Sequence, residues 1–134
     1  MALSEIKAIA AQGLDYQRVL LEAAGLNIAN ANKTVKPGQS VPLYHVSAQN
    51  QTFAEMVSGQ DSEPQVIAEV ASLKSSYSPS DPTADSHGLV WRPDIDTTQQ
   101  LIDVTRANRA YEANLRIYNA ASSMGKSILQ LGNN

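Results

Sequence analysis

Apolar residues from Leu3 to about Ala31 recur at helical spacing. Leu3, Ala10, Leu14, Leu21 and Ile28 form one stripe, and Ile6, Ile9, Gly13, Tyr16 and Leu20 run beside it. Glu5, Lys7, Gln12, Asp15, Arg18 and Glu22 lie mostly off these stripes and no proline interrupts, so the pattern predicts an amphipathic helix. Gly13 and Gly25 each lower helix propensity by about 1 kcal/mol relative to alanine, which asks for a reason such as the close approach of another helix. The helix ends in "GLNIANANKT", Gly25 to Thr34, with Asn27, Asn30 and Asn32 set among apolar side chains. Asparagine is a poor helix former and is costly to bury unpaired. Two readings are open: Asn27 is a polar residue within a packing seam, or Asn30 or Asn32 caps the helix.

The C-terminal pattern is stronger. "DTTQ", Asp96 to Gln99, has the form of a capping box, and no proline occurs from there to Gly132. Leu101, Val104, Asn108, Tyr111, Leu115 and Tyr118 make one heptad stripe. Ala107, Ala110, Asn114, Ile117, Ala121, Met124, Ile128 and Leu131 make a second beside it. A helix with two adjacent stripes can touch two neighbours, and this one spans on the order of 50 Å, more than a small core covers.

Between the helices the character changes. All six prolines fall between Pro37 and Pro93. "VPLYHV" and "QVIAEVASL" read as short strands, Val90 and Trp91 as a further pairing segment, and "YSPSDPTADSHG", Tyr77 to Gly88, as irregular turn.

Composition removes several functions. The chain has 134 residues, enough for one domain, but much of its 43% hydrophobic content is alanine and only seven residues are aromatic, so a large compact core is not expected. With a net charge of -3 and four basic residues from Asp96 onward set against three acidic ones, there is no nucleic-acid footprint. Absence of cysteine excludes disulfides and thiolate sites. The N-terminus lacks the pattern of a cleaved signal, and no apolar run is long enough to span a membrane.

His87 near Asp85 and Asp81, with His45 distant, is the one constellation that suggests metal or acid–base chemistry. It lacks ligand spacing and the order of a calcium loop, so a polar turn with local backbone bonds is the better reading. No catalytic residues, cofactor or metal are expected.

Three stretches resemble the flagellar basal-body rod proteins, with the greatest similarity to the short C-type subunits of the proximal rod. "LNIANANKT" looks like the signature that closes the first helix of axial proteins. "YSPSDPTADSHGLVWRPDID" is similar to the C-type connecting loop, with Pro79, Pro82, Ala84, Asp85, Gly88, Val90 and Pro93 in matching places. "NRAYEANLRIYNAASSMGKSILQLG" looks like the axial C-terminal helix. The resemblance implies a non-enzymatic subunit of the basal-body rod, exported by the flagellar type III apparatus without a cleaved signal and assembled with copies of itself and other rod proteins across the periplasm. It implies that the terminal helices form the inner tube, the central region packs outside it, and torque passes through interlocked helices.

The expected fold is mainly α, with long N- and C-terminal helices in a coiled-coil-like pair and a short central β-containing segment. The expected divisions are 1–32, 33–95 and 96–134. The expected assembly interface comprises Leu14, Leu21, Asn27, Ile28 and Asn30 on the first helix, and Leu101, Val104, Tyr111, Asn114, Leu115, Ile117, Tyr118, Met124 and Ile128 on the last. The competing expectation is a self-contained helical binding or adaptor module that uses the 77–88 loop.

Overall fold

A computed structural model describes residues 2–47 and 63–133; the stretch 48–62 of the central region lies outside them. Among the described residues, two long helices, α1 (Ala2–Ala31) and α2 (Thr97–Gly132), flank four short strands in chain order, β1 (Pro42–Ser47), β2 (Gln65–Val70), β3 (Leu73–Tyr77) and β4 (Leu89–Pro93). The helices lie antiparallel. Lys7 Nζ sits 5.2 Å above the Tyr118 ring, Gly13 faces Asn114, and Asn27 reaches Gln100. By that register, α2 from about Lys126 onward lies beyond the first turn of α1.

The glycine at position 13 has a clear cause. A Cβ there would stand 2.6 Å from Asn114 Nδ2, so the helices meet closely where the larger side chain has no opposing bulk. Gly25 differs from expectation, since nothing lies within 4 Å of a Cβ built on it. We expect Gly13→Ala to gain little stability or to lose some in the native sequence, because the propensity gain is offset by displacement of Asn114. In an Asn114→Ala background the same change stabilises by about 1 kcal/mol. A double-mutant cycle by urea denaturation checks this; additivity would contradict the close approach.

Helix ends also differ in detail from the sequence pattern. Asp96 caps α2, its Oδ1 accepting the Gln99 N–H at 3.1 Å, but the Gln99 side chain turns forward to Asp103 at 3.0 Å. Only half of the capping box is therefore made. At the end of α1 the Lys33 N–H bonds to the Asn30 carbonyl at 3.1 Å. No non-glycine residue among those described has a positive φ, so neither Asn30 nor Asn32 is a left-handed cap.

The strands form two separate antiparallel hairpins, β1 with β2 (Pro42 opposite Val70) and β3 with β4 (Leu73 opposite Pro93). "QVIAEVASL" is thus divided between two strands. The Ala71 N–H bonds to the Val41 carbonyl at 2.9 Å, one pair beyond the end of the β1–β2 register, and β3 starts two residues later on a new partner, β4. Val35, Val41, Ala71, Val90, Pro93 and Ile95 are buried together at the junction of helices and strands. Val35, just past α1, pairs with Trp91 of β4 through a 2.8 Å backbone bond, tying the helix end to the last strand.

Candidate assembly surfaces

Asn27 is the polar centre of the fold. It is 2% exposed, and its amide is engaged on both sides: Oδ1 accepts the Tyr44 N–H at 2.7 Å, while Nδ2 donates to the Tyr44 carbonyl at 2.8 Å and to Gln100 Oε1 at 3.3 Å. In an antiparallel ladder alternate residues turn their backbone groups away from the partner strand. Tyr44 turns its groups toward α1, where a side-chain amide offers the donor and acceptor that another strand would offer. One side chain therefore fixes β1 and α2 against α1. Asn30, 6% exposed, lies inside the same corner.

The loop before α2 is built by two carboxylates. Asp81 Oδ1 accepts the Thr83 N–H at 2.8 Å and its hydroxyl at 2.6 Å. Asp85 Oδ1 accepts the N–H of His87 at 2.8 Å and of Leu89 at 3.0 Å, and its Oδ2 accepts Trp91 Nε1–H at 3.0 Å. Gly88 completes the turn at φ +75, where a Cβ would come within 3.1 Å of Tyr77 and Pro79. Both acids are engaged in holding this turn, which is the polar-turn reading of the sequence. Among the described residues no three His, Asp or Glu side chains group to hold a metal ion.

Hydrogen bonds stabilise the charged forms of these acids. Those from the Trp91 indole and then the Leu89 amide hold Asp85 below the ordinary carboxylate value, and Thr83 does the same for Asp81. A depressed folded-state value means that the contribution is complete above the usual range near pH 4 (about 3.9 for Asp) and is lost as pH falls through the folded value. Trp91 is the sole tryptophan, so its fluorescence reports the change directly. We expect an acid transition centred below the ordinary Asp value that Asp85→Asn removes; a transition unchanged by that substitution would contradict the assignment.

The remaining surface is dominated by the helix pair. α1 lies along the boundary between the two stripes of α2, covering Ala107 and Ala121 and half-burying Asn114 and Tyr118, so an outer part of each stripe stays open. On one shoulder of the pair, Leu14, Leu21 and Ile28 are half-buried with Val104 and Tyr111, and Leu101 and Leu115 are 55% and 39% exposed at its rim. The other shoulder carries Ile117, Met124 and Ile128 from α2 with Ile6, Ile9 and Tyr16 from α1, all exposed. Above it opens a groove of about 440 Å³ between α1, β1 and α2, lined by Gln17, Leu20, Ala23, Tyr44, Val46, Asp103, Arg106 and Ala110 among others.

Of the residues singled out from the sequence, Asn27 and Asn30 are thus inside the chain. Leu14, Leu21, Ile28, Val104, Tyr111, Asn114 and Tyr118 are half-buried around the helix pair. Leu101, Leu115, Ile117, Met124 and Ile128 are at the surface. Ile6, Ile9 and Tyr16 were part of the helical pattern but not of the expected interface; the seven-residue step from Ile9 to Tyr16 was the signal for them. Tyr44 gave none, since it acts through its backbone. No helix of the described residues is long and apolar enough to cross a membrane.

Comparison with known proteins adds independent findings. A family profile described as the flagellar basal body rod FlgEFG protein C-terminal matches residues 87–131. The flagellar basal-body rod protein FlgC of Salmonella typhimurium strain LT2 is 33% identical over 133 residues, covering 98% of this chain and 99% of that protein. FlgC of Escherichia coli O6:H1 is 33% identical with the same coverage, and FlgC of Bacillus subtilis strain 168 is 25% identical over 141 residues.

Proposed function

The chain belongs to the FlgC family of flagellar basal-body rod proteins, and from that premise we propose that it is a structural subunit of the rod, built in through both open shoulders of its helix pair. The observation that carries this reading is the number of large apolar residues left at the surface of two helices that already pack on each other. Monomeric proteins rarely expose contiguous apolar surface on this scale, and burial against neighbours removes it from water. The contacting residues we propose are Leu101 and Leu115 on one shoulder and Ile6, Ile9, Tyr16, Ile117, Met124 and Ile128 on the other. Asn27 and Asn30 serve indirectly, by fixing the β-region at one end of the pair.

In this reading the partners are copies of the chain and other rod proteins. Export runs through the flagellar type III apparatus without a cleaved signal, and the assembled rod spans the periplasm. Torque passes along packed helices, a mechanical role that asks for no cofactor and no reaction. The 77–88 loop holds its own acids in internal bonds, and no observation favours a ligand-binding module over the rod. Basal bodies purified by detergent extraction from cells carrying an epitope-tagged chain should retain it through washes that strip peripheral proteins. Recovery of the chain only in the soluble fraction would contradict the proposal.

A further inference from the structure

The four strands differ in what meets their outer edges. Asn27 bonds both backbone groups of Tyr44, so the opposite residue Ala68 also turns its groups away from the β1–β2 ladder, and Val66 and Val70 do the same. The Val35 N–H bonds to the Trp91 carbonyl, so Ser75, opposite Trp91, turns outward together with Leu73 and Tyr77. On β1, Asn27 takes the outward groups of Tyr44, and Pro42 has no N–H to offer. On β4, the Leu89 N–H donates to Asp85 Oδ1 at 3.0 Å and its carbonyl accepts the Asp85 N–H at 2.9 Å, while the Pro93 carbonyl accepts the Ile95 N–H at 3.0 Å. Among the described residues no hydrogen bond meets the outward groups of β2 or β3.

An open strand edge is a template for another strand. Every residue of β3 and every residue of β2 except Val66 is exposed, with Val70 at 76% and Tyr77 at 74%. The two strands lie in separate sheets, so neither closes the other within one chain. Set antiparallel with their outward residues in register, however, the two edges complement each other. Val66 then faces Tyr77, Ala68 faces Ser75 and Val70 faces Leu73, which brings Glu69 opposite Lys74 and Ile67 opposite Ser76. Two apolar pairs share one face and an opposite-charge pair stands on the other, and both kinds are favourable across strands. Like edges paired about their centres would instead set Glu69 opposite Ile67, or Lys74 opposite Ser76. The Glu69 and Lys74 side chains are 68% and 59% exposed, against His45 at 3.4 Å and Asp94 at 3.9 Å, so both are within reach of a neighbour.

We infer that the β2 edge of one copy pairs with the β3 edge of a second copy, joining the central regions of neighbouring chains through backbone hydrogen bonds. This rests on the rod-subunit reading and deepens it, by adding a contact outside the helices. The two edges are different surfaces, so each bound pair keeps one of each free and the contact runs on through further copies rather than stopping at a dimer. It also assigns a second role to Asn27, Val35 and Asp85: by occupying the outer edges of β1 and β4 they leave β2 and β3 as the edges that select a neighbour.

The chain has no cysteine, so introduced pairs report contacts cleanly. In the inferred register Ile67 with Ser76 and Glu69 with Lys74 are the closer, non-hydrogen-bonded pairs, with Cα atoms about 4.5 Å apart, within disulfide range. Full-length Ile67→Cys/Ser76→Cys, and separately Glu69→Cys/Lys74→Cys, are expressed in place of the native chain. Basal bodies are isolated and oxidised, and the chain is detected on non-reducing denaturing gels. The expected result is a ladder of multimers, trimer and above included, in steps of the 14.4 kDa chain mass and absent from every single variant. Ile67→Cys/Ser75→Cys, whose side chains would stand on opposite faces of the joint sheet, should stay monomeric. Only monomer from both matched pairs, a ladder that stops at the dimer, or equal cross-linking by the mismatched pair would overturn the inference and leave the rod-subunit reading standing. Absence of the native chain from basal bodies would overturn both.

Discussion

Asn27→Ala will destabilise the chain by about 2–3 kcal/mol, the effect of leaving a half-buried backbone N–H and C=O of Tyr44 without their partners and stripping Gln100 of a donor. Removal of Gln100 alone, whose contact is the longer at 3.3 Å, will cost under about 1 kcal/mol. Asn27→Asp separates the donor from the acceptor. It keeps an oxygen for the Tyr44 N–H but turns the other toward the Tyr44 carbonyl, so the carboxyl is driven toward its protonated form. Its folded-state pKa then lies above the unfolded value, and the variant will regain part of its stability between pH 7 and pH 5. Urea denaturation at both pH values checks all three variants. If Asn27→Ala unfolds as the native chain does, the amide does not hold β1 to the helix.

The second large effect concerns assembly rather than folding. Ile117 and Met124 are 49% and 58% exposed, so Ile117→Lys and Met124→Lys will change the stability of the isolated chain by no more than about 0.5 kcal/mol. Buried at a subunit contact without a partner, the same lysine costs several kcal/mol, and each 1.4 kcal/mol is about a tenfold loss of affinity. Cells carrying either variant will express the chain normally and fail to swim. Glu112→Lys, on the polar outer face of α2, will leave swimming intact. Full motility with Ile117→Lys and Met124→Lys combined would show that this shoulder faces solvent in the rod.

These two predictions mark what the residue pattern could and could not express. Both helices were legible because a period of 3.6 shows in the sequence whatever the stripe packs on. The identity of the neighbour was not. Gly13 and Asn114 are about one hundred residues apart, and only the fold shows that the space of one admits the other. The stripes showed that α2 can touch two neighbours and that the terminal helices can pair, but not where α1 would lie: it occupies the boundary between the stripes, and each keeps only an outer part exposed. Asn27 was visible as an anomaly, but its role was not, since its main partner is the backbone of Tyr44 and a backbone leaves no mark in a sequence. The turn around Asp85 was legible in kind, because aspartate beside Ser and Gly favours local bonds. The anchor on Trp91 spans six residues and depends on how β3 and β4 bring the loop together.

We propose that this chain, a structural subunit of the basal-body rod, joins its neighbours through the open shoulders of its helix pair. Electron microscopy of basal bodies from cells lacking the chain, complemented with either the native sequence or Ile117→Lys/Met124→Lys, tests it most directly. Native complementation should give complete rods. The deletion and the lysine variant should give basal bodies whose rod is missing or interrupted. Complete rods in the cells lacking the chain would contradict the account.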